Sequence, residues 1–573
     1  MIKTELLQEI INKLNIERQV SFEMLPEQPL VFQGTVTLRE EKIRLKIDFS
    51  NHFPLEFPIF NIEDAQRFYP HVSMSGNICL FDEASLLIKT DLPDQMLLNA
   101  FDRAVTILNI DPLGDEYRIE VAREFNAYWA GVSKLVLYTN LSPCIEKEYL
   151  HLSVIRAENK NIVSNTTIES ECILKNNFGV SLEKKLSISC VLIRLRAFNI
   201  PPIQKTYTWK WLRNFILANI TGSQKKEFIA FLAKQKKILN QFILLSIPAG
   251  NNDIIVSFWL HCRNNQYKKV EKMVSCKVEP VTVIPIDYDF LLKRSGAPTN
   301  LANKSVLLLG CGSVGSYVAS NLCQSGIRCL DILDKDILTT ENVYRHLLGF
   351  DAAIQGKYKT DLIKEYLENR YPFVEIDSMG FADRSVETFI QDSERLRGYD
   401  LIISALGEPT INLEINRILQ EKNISVPFIV CFNEPYGIGG HAIAINLGID
   451  GCLRCLYTDV ISNDLVSFRA SLVAGDQNFK KSLSGCAGAF VEYTSLDSQQ
   501  TALLTTRLAI EVLYDKCKTS TLLSWVGLPD NLENNGYCTS EYYAKIADQN
   551  NINTIKKTIL SNERCPICSK KII

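Results

Sequence analysis

The chain has 573 residues, a length that predicts three or four domains, each able to bury a core. Hydrophobic residues make up 46% and charged residues 22%, and the net charge of −3 gives no electrostatic indication of a nucleic-acid or membrane partner. No apolar run approaches the ~20 residues that span a bilayer. The N-terminal stretch lacks the apolar core of a signal peptide, so we expect a cytoplasmic protein whose 17 cysteines act as thiols, metal ligands or nucleophiles.

The first predicted domain, residues 1–138, has an α+β pattern. It begins with an amphipathic helix that carries Ile2, Leu6, Ile10 and Leu14 on one side. Strand-like stretches such as LVFQGTVTL and KIRLKIDFS follow. Two amphipathic helical stretches, DQMLLNAFDRAVTILNI and DPLGDEYRIEVAREFNAYW, complete the domain.

The segment YPHVSMSGNICLFDE places a cysteine, Cys79, in a loop with no helical period. A thiol in such a loop is either a buried spacer or a nucleophile, and the spacing alone leaves both interpretations open. His71 precedes it in the same segment, with three conceivable roles: a hydrogen-bond donor, a base or a brace for the loop. Cys79 is therefore the candidate nucleophile of this domain.

Residues 139–288 are predicted to form an α+β linker domain, because strand-like and helical stretches alternate without a spacing that carries chemistry. The stretch TYTWKWLRNF interleaves aromatic and basic residues, and at that length it indicates packing rather than a nucleic-acid surface. The remaining residues, 289–573, are predicted to form a Rossmann-like α/β domain.

The segment SVLLLGCGSVG is the motif around which this last domain is organised. An apolar run of strand length leads into Gly310, Gly312 and Gly315, and a helical stretch follows up to Gly326. Backbone N–H groups and a helix N-terminus face a phosphate in this arrangement. A second strand ends in Asp334, about 20 residues past the last glycine, where a ribose-binding acid belongs. A tight turn that only packs helix on strand is the alternative interpretation.

Polar residues behind the glycine motif distinguish between nucleotides. Asp336, Asn342, Arg345 and Lys359 follow closely. Arg and Lys side chains hold phosphates and offset charge on a phosphorus under attack, so the cluster favours triphosphate chemistry. The alternatives are an oxidoreductase that binds NAD and ignores Lys359, and a set of solvated surface charges.

Two Cys-x-x-Cys pairs lie far apart, in GCLRCLYTD and ERCPICSKK. Each pair can bind one side of a metal ion, and four thiolates form a closed, structural tetrahedral zinc site. A redox role for one pair is the alternative. The predicted ligands are Cys452, Cys455, Cys565 and Cys568.

Between the pairs, Cys486 lies in a loop of small residues just before a long helix that is predicted to begin near Ser495. A helix N-terminus favours a thiolate, so Cys486 is a second candidate nucleophile. A small packing residue is the alternative interpretation.

The last domain resembles the ThiF/MoeB adenylation domain shared by ubiquitin-activating enzymes, which reads a glycine loop, a ribose aspartate, D-x-V-x-x-S-N-x-x-R and G-x-x-K. The resemblance implies ATP and Mg²⁺, although Gly407 takes the place of the family's metal-organising aspartate and Glu408 is the nearest acid. Relatives carry the same cysteine pairs, which implies structural Zn²⁺, and Cys486 matches the catalytic cysteine of the autophagy-type activating enzyme. The implied nucleotide-binding residues are Gly310, Gly312, Gly315, Asp334, Asp336, Asn342, Arg345, Lys359 and Glu408, with Arg345 and Lys359 also catalytic.

The first domain resembles the ubiquitin-conjugating fold. Helix, meander, F-P-x-x-F-P and Y-P-x-x-x-x-x-G-x-I-C-L occur in the order of that family. The resemblance implies that Cys79 is the active-site nucleophile and that Tyr69, Pro70 and His71 stand at the His-Pro-Asn element. His71 in place of the asparagine implies a divergent conjugating enzyme.

A conjugating module followed by an activating module resembles the fused proteins of bacterial CBASS anti-phage operons. The resemblance implies ATP-dependent activation of a protein C-terminus, a thioester on Cys486, transfer to Cys79 and conjugation to amines of target proteins. The activated protein is then expected to be the CD-NTase-type cyclic-nucleotide synthase, and the enzyme a homodimer without membrane or nucleic-acid partners. The alternatives are a fusion that serves a separate bacterial ubiquitin-like modifier, a ThiF/MoeB-type sulfur-carrier adenylyltransferase and a non-catalytic scaffold.

Overall fold

The chain divides into two compact units, residues 1–287 and 288–573, and each is described by itself. No helix in the described part of the chain is both long and apolar enough to cross a bilayer. The computed structural model describes all residues except 1–3, 40, 64–67, 74, 82–88, 142–147, 235–239, 251, 262–276, 294, 298, 381–385, 447–449, 463, 483–488, 548–553 and 570–573.

The first unit begins with an antiparallel five-stranded meander in the order β1-β2-β3-β4-β5, packed against two helices. Its elements are α1 Thr4–Arg18, β1 Phe22–Leu25, β2 Gln28–Leu38, β3 Glu41–Asp48, β4 Ile59–Glu63, β5 Asn77–Ile78 and α2 Pro93–Leu108. Alternate residues of β2 and β3 are buried, which is the period of a sheet with one covered face. The predicted N-terminal helix is confirmed, but its buried stripe is Leu7, Ile10, Ile11 and Leu14, whereas Leu6 is 42% exposed.

A second, eight-stranded sheet completes the first unit, in the order β10-β13-β12-β11-β9-β7-β8-β6. Strand β6 also pairs with β13, so the sheet closes on itself. Helix α3 lies against β12 and β13, where Trp129 Nε1 donates to the Val281 carbonyl at 3.0 Å. The elements are α3 Asp115–Val132, β6 Leu135–Thr139, β7 Tyr149–Ala157, β8 Lys160–Val163, α4 Thr167–Asn176, β9 Leu186–Arg194, β10 Tyr207–Thr208, α5 Trp209–Asn219, α6 Gly222–Lys234, β11 Asn240–Ala249, β12 Asn252–His261 and β13 Lys277–Pro285.

The second unit is built on an eight-stranded sheet in the order β16-β15-β14-β17-β18-β19-β22-β23. The strands from β16 to β18 are parallel, and the remaining three are antiparallel. The elements are α7 Tyr288–Lys293, β14 Ser305–Leu309, α8 Gly315–Gln324, β15 Cys329–Leu333, α9 Phe350–Ala353, α10 Lys359–Arg370, β16 Glu375–Met379, α11 Val386–Phe389, α12 Ser393–Arg397, β17 Leu401–Ser404, α13 Pro409–Glu421, β18 Phe428–Asn433, β19 Gly439–Ile445, β20 Lys480–Ser482, β21 Ala489–Val491, α14 Ser495–Leu513, β22 Thr521–Val526, α15 Asp530–Asn534, α16 Glu541–Ala547 and β23 Thr554–Thr558.

Strand β14 is covered on both faces, which explains its continuous apolar sequence. Val306 and Leu308 belong to the core formed with α8, α10 and α14, whereas Leu307 and Leu309 belong to the core formed with α13. Parallel sheets covered by helices on both faces have this pattern. The predicted multidomain class, mixed α/β and α+β, is confirmed; the domain boundaries at 138/139 and 288/289 stay predictions.

Candidate active sites

The three glycines of the motif are glycine for different structural reasons. Gly310 has φ of +88°, and a Cβ added there would lie 2.9 Å from the Ala405 carbonyl oxygen. A Cβ on Gly315 would lie 2.0 Å from the Gly310 carbonyl oxygen, so the helix α8 can approach β14 only without a side chain. A Cβ on Gly312 would have no atom within 4 Å. Gly310 and Gly315 are therefore required by packing, whereas Gly312 borders open space and lines a cavity.

Asp334 joins the end of β15 to the glycine loop. One carboxylate oxygen accepts from the Cys311 amide at 2.6 Å, and the other accepts from the Asp336 amide at 2.8 Å. Burial raises the pKa of Asp334, although these bonds and nearby Lys359 oppose the shift. The predicted ribose contact of Asp334 stays a prediction; the observed contacts show that it also orders the loop.

A cavity of about 170 Å³ lies at the carboxyl ends of β14, β15 and β17, where ligands bind in open α/β sheets. Lys359 is nearly buried and places Nζ 2.8 Å from Asp336 Oδ2, whose carboxylate is 59% exposed. Lys335 and Glu387 also line the cavity, and the sequence analysis did not single them out. The predicted residues in the lining are Gly310, Gly312, Asp334, Asp336, Lys359 and Glu408.

Asn342 and Arg345 have contacts away from this lining. The Asn342 side chain accepts a hydrogen bond from the hydroxyl of Thr339 at 3.1 Å and so caps a short turn. Arg345 donates to the Val491 carbonyl at 3.1 Å, and its guanidinium lies 5.0 Å from the ring centre of Tyr493. The structure therefore gives both residues contacts that hold the chain, and their roles toward a nucleotide stay predictions.

His346 supports the glycine loop and is a residue that the sequence analysis missed. It is buried, its Nε2 donates to the Cys311 carbonyl at 2.9 Å, and its Nδ1 accepts from the Leu348 amide at 3.1 Å. Burial lowers the pKa of His346 to about 4, so the ring is neutral at neutral pH. No spacing marks it in the sequence, because its partners are backbone groups.

The two cysteine pairs come together, as their sequence pattern predicts. All four sulfur atoms lie within 4.8 Å of one another. Cys452 Sγ is 3.7 Å from Cys565 Sγ, and Cys455 Sγ is 3.4 Å from Cys568 Sγ. A tetrahedral zinc–thiolate site has sulfur–sulfur distances of about 3.8 Å, so the donor set fits a zinc ion.

Cys79 follows β5 in a loop, and its side chain is exposed. The Cys79 amide donates to the carbonyl of His71 at 2.7 Å. The ring of His71 contacts two carboxylates of α3, Glu120 Oε2 at 3.1 Å from Nε2 and Glu124 Oε1 at 2.5 Å from Nδ1. Both ring nitrogens of His71 therefore contact carboxylates. Of the three conceivable roles of His71, this geometry fits the brace for the loop best.

Cys486 lies outside the described residues. The helix predicted to begin near Ser495 is confirmed as α14. Thr494 caps it, because its hydroxyl accepts from the Asp497 amide while the Asp497 carboxylate accepts from the Thr494 amide.

Comparison with known proteins identifies both modules. The model of the ThiF family matches residues 292–490, and the model of prokaryotic E2 family B matches residues 21–137. The ATP-dependent ubiquitin transferase-like protein Cap2 of Escherichia coli (strain TW11681) is 22% identical over 507 residues, covering 79% of this chain and 81% of that protein. Cap2 of Vibrio cholerae serotype O1 is 24% identical over 502 residues, covering 78% of this chain and 81% of that protein.

Among solved structures, E. coli MccB with ATP is 15% identical, with a TM-score of 0.33, and the match covers 47% of this chain and 68% of MccB. The two family matches fall on the two units separately, the E2 match in the first and the ThiF match in the second. The chain is therefore a fusion of a prokaryotic E2 family B domain with a ThiF domain, an E1/E2-like transferase with Cap2 homologues over most of its length.

Proposed function

We propose that this enzyme uses ATP to activate the C-terminus of a protein and conjugates it to amines of target proteins through two successive thioesters, on Cys486 and then on Cys79. The observation that carries the proposal is the combination in one chain of an exposed thiol in the segment matched by E2 family B and, in the segment matched by ThiF, a cavity lined by the glycine loop and a nearly buried lysine.

Activation begins at the 170 Å³ cavity. A carboxylate oxygen of the protein tail attacks the α-phosphorus of ATP, the bond from that phosphorus to the bridging oxygen breaks, and pyrophosphate leaves. Lys359 is positioned to stabilise the charge that develops on the phosphates, and Arg345 is proposed to join it. Adenylation is required because a free carboxylate does not react with a thiol.

The acyl group then moves between sulfurs. The Cys486 thiolate attacks the acyl carbon and AMP leaves; the Cys79 thiolate attacks the resulting thioester and the Cys486 thiolate leaves. A target amine finally attacks the Cys79 thioester, loses a proton to solvent and releases the thiolate. Each step forms one acyl bond and breaks one, so the energy of ATP is carried to the amide.

The proposal includes two metal ions, one at carboxylates that line the first cavity and one at the four-cysteine cluster. Mg²⁺ would be held beside the carboxylates of Glu408 and Asp336, where it would offset phosphate charge. Zn²⁺ would be held by the four-cysteine cluster, whose closed thiolate set leaves no position for a reacting group.

A second cavity of about 370 Å³ supports a peptide tail as the acyl donor. Phe432, Tyr457 and Phe468 line it, together with five residues of the segment 407–413. Leu406, Glu408 and Ile411, from the same stretch of chain, line the nucleotide cavity. The two cavities thus share one wall, and an aromatic pocket beside the site of adenylation suits an apolar side chain near the end of the tail.

The acyl donor that we propose is a CD-NTase-type cyclic-nucleotide synthase of a CBASS system, activated by a cytoplasmic homodimer. This choice follows from the resemblance of the module order to the fused proteins of CBASS operons; the likeness to Cap2, a ubiquitin transferase-like protein, over about four fifths of both chains supports the transfer reaction itself. A separate ubiquitin-like modifier would use the same sites and is distinguished by which protein becomes joined to the enzyme.

The decisive experiment incubates the protein with ATP, Mg²⁺ and the candidate synthase and follows thiol-sensitive adducts on non-reducing gels. We expect Cys486→Ala to abolish both adducts and Cys79→Ala to trap the first. Retention of the first adduct in Cys486→Ala would reassign the nucleophile, and adenylation by wild type without any Cys79 adduct or conjugate would favour sulfur-carrier chemistry.

Loss of Lys359 tests the nucleotide step separately. Lys359→Ala should lower ATP–pyrophosphate exchange by about 100-fold. It should cost less than about 1 kcal/mol of stability, because its partner Asp336 is 59% exposed. The matched control is Lys357→Ala, which removes an exposed lysine paired with Glu365 and should leave exchange unchanged.

A further inference from the structure

Cys79 is connected to α3 by two consecutive hydrogen bonds, each of them donated by a backbone amide. The Cys79 amide donates to the His71 carbonyl at 2.7 Å, and the His71 amide donates to Glu124 Oε2 at 2.6 Å. The adjoining segment is also docked on α3, where the Tyr117 hydroxyl donates to the Phe68 carbonyl at 3.1 Å. We call residues 79–81, which follow β5, the thiol loop. Its placement depends on how α3 holds His71.

The backbone of His71 needs such support. Its φ of +61° lies in the left-handed region, which a residue with a side chain keeps only where its surroundings enforce it. One carboxylate enforces it at two points: Glu124 Oε2 accepts from the amide and Glu124 Oε1 contacts ring Nδ1. Glu120 holds the other ring nitrogen. We call His71, Glu120 and Glu124 the loop clamp.

Titratable groups surround the loop clamp on several elements of the described part of the chain. The Tyr128 hydroxyl donates to Glu124 Oε2 at 3.0 Å, and its pKa is raised by burial, by Glu124 and by the charge of Cys79. The groups that face the clamp are Tyr128 and Arg123 from α3, Cys79 after β5, and Glu41 of β3, which accepts from the Tyr69 hydroxyl.

We propose that His71 is a positioning residue for Cys79: as an imidazolium held between Glu120 and Glu124, it fixes the thiol loop, and loss of its proton loosens that loop. This inference rests on the proposed role of Cys79 and adds to it a residue and a pH dependence. His71 itself takes no proton from the substrate, because both of its ring nitrogens face carboxylates.

The direction of the pH dependence follows from the pKa shifts of His71 and Glu124. Hydrogen bonding to Glu124 raises the pKa of His71, so the imidazolium half of the clamp is present below that raised pKa and is lost as the pH rises through it. Burial favours protonated Glu124, but the hydrogen bonds from His71 outweigh it and lower the pKa of Glu124. The clamp is therefore also lost at low pH, as the pH falls through the lowered pKa of Glu124.

The test compares wild type with His71→Gln over a range of pH. Thioester on Cys79 is discharged with hydroxylamine, and the ratio of the two rates removes every pH effect that the proteins share. We expect wild type to be about tenfold faster at pH values below the raised pKa of His71, in kcat rather than in KM for the amine, and the ratio to fall toward one as His71 loses its proton. A ratio that does not change with pH would overturn the proposal.

A second readout does not depend on ATP or on an acyl donor. Alkylation of Cys79 by iodoacetamide, measured on its peptide by mass spectrometry, should give a wild-type to His71→Gln rate ratio with the same inflection. If no Cys79 thioester forms in wild type but this inflection is present, the proposed function fails and the clamp stands. Identical alkylation profiles in two folded proteins would refute the clamp.

Two further variants guard against misfolding and indirect effects. Glu120→Gln keeps His71 and Glu124 but removes one carboxylate from the ring. The inflection in its Cys79 alkylation rate should lie at lower pH than that of wild type, so the comparison of these two proteins supplies the test if His71→Gln does not fold. Arg118→Ala is the matched control, because Arg118 lies on α3 and pairs with exposed Asp115. A shifted inflection in Arg118→Ala, or an unshifted one in Glu120→Gln, would contradict the assignment.

Discussion

At the scale of single residues, Gly312 and Gly315 separate function from folding. We expect Gly312→Ala to keep the thermal stability of the enzyme but to bind ATP weakly, because its methyl group would enter open space that the phosphates need. Gly315→Ala should lose about 1–3 kcal/mol of stability or more, because its Cβ would lie 2.0 Å from the Gly310 carbonyl oxygen.

Thermal unfolding and titration with a fluorescent ATP analogue check both expectations. A destabilised Gly312→Ala protein, or a Gly315→Ala protein as stable as wild type, would contradict the packing described for this loop.

The residues of the nucleotide site were predictable to the extent that sheet topology determines them. Asp334, Lys359 and Glu408 follow strands or begin helices at one edge of a parallel sheet, so a correct strand assignment already brings them together. Arg345 was placed by motif, but its orientation depends on the aromatic ring of Tyr493, almost 150 residues later in the sequence. His346 left no signal because it contacts backbone groups.

At the scale of elements, helix α1 provides a matched pair of leucines. Leu7 is fully buried and Leu6 is 42% exposed, although both are consecutive in the sequence. Leu7→Ala should therefore cost about 2–5 kcal/mol, and Leu6→Ala less than about 0.5 kcal/mol. Urea unfolding of both variants measures the difference, and equal losses would mean that the buried stripe has been assigned to the wrong face.

The four-cysteine cluster should act as a clamp on the C-terminal strand. It brings Cys565 and Cys568 to the first pair, and nearby β23 pairs with β22. We expect one zinc per chain by elemental analysis, and Cys568→Ser or a chelator should remove it and lower the melting temperature. Cys538→Ser, at an exposed cysteine, is the control. A metal-free protein of unchanged stability would exclude a structural zinc.

The elements were more predictable than their pairing. The alternation of polar and apolar residues marked the strands of the first sheet, and a continuous apolar run marked β14. The closing pair of the second sheet joins Leu135 to Val281, and no local pattern records a contact over that separation. On α1 the prediction is confirmed for Ile10 and Leu14 and is wrong for Leu6, because a strict spacing of four drifts around a helix of 3.6 residues per turn; Ile2 lies outside the described residues.

At the scale of the whole molecule, the two units have separate hydrophobic cores. The clusters around α1 and around the second sheet use residues of 1–287, and those around β14 use residues of 288–573. A ligand that binds one folded unit stabilises that unit by mass action, by about 2.7 kcal/mol at a concentration 100 times Kd. The enzyme is therefore expected to unfold in two calorimetric transitions.

MgATP should raise only the transition of the second unit, by several degrees, because the glycine loop and Lys359 both lie there. Leu7→Ala should lower only the other transition, and Gly312→Ala should abolish the shift caused by MgATP without moving either transition in its absence. Each perturbation thus assigns one peak independently of the others. A single transition that moves with both Leu7→Ala and MgATP would contradict this expectation and show that the two units unfold as one.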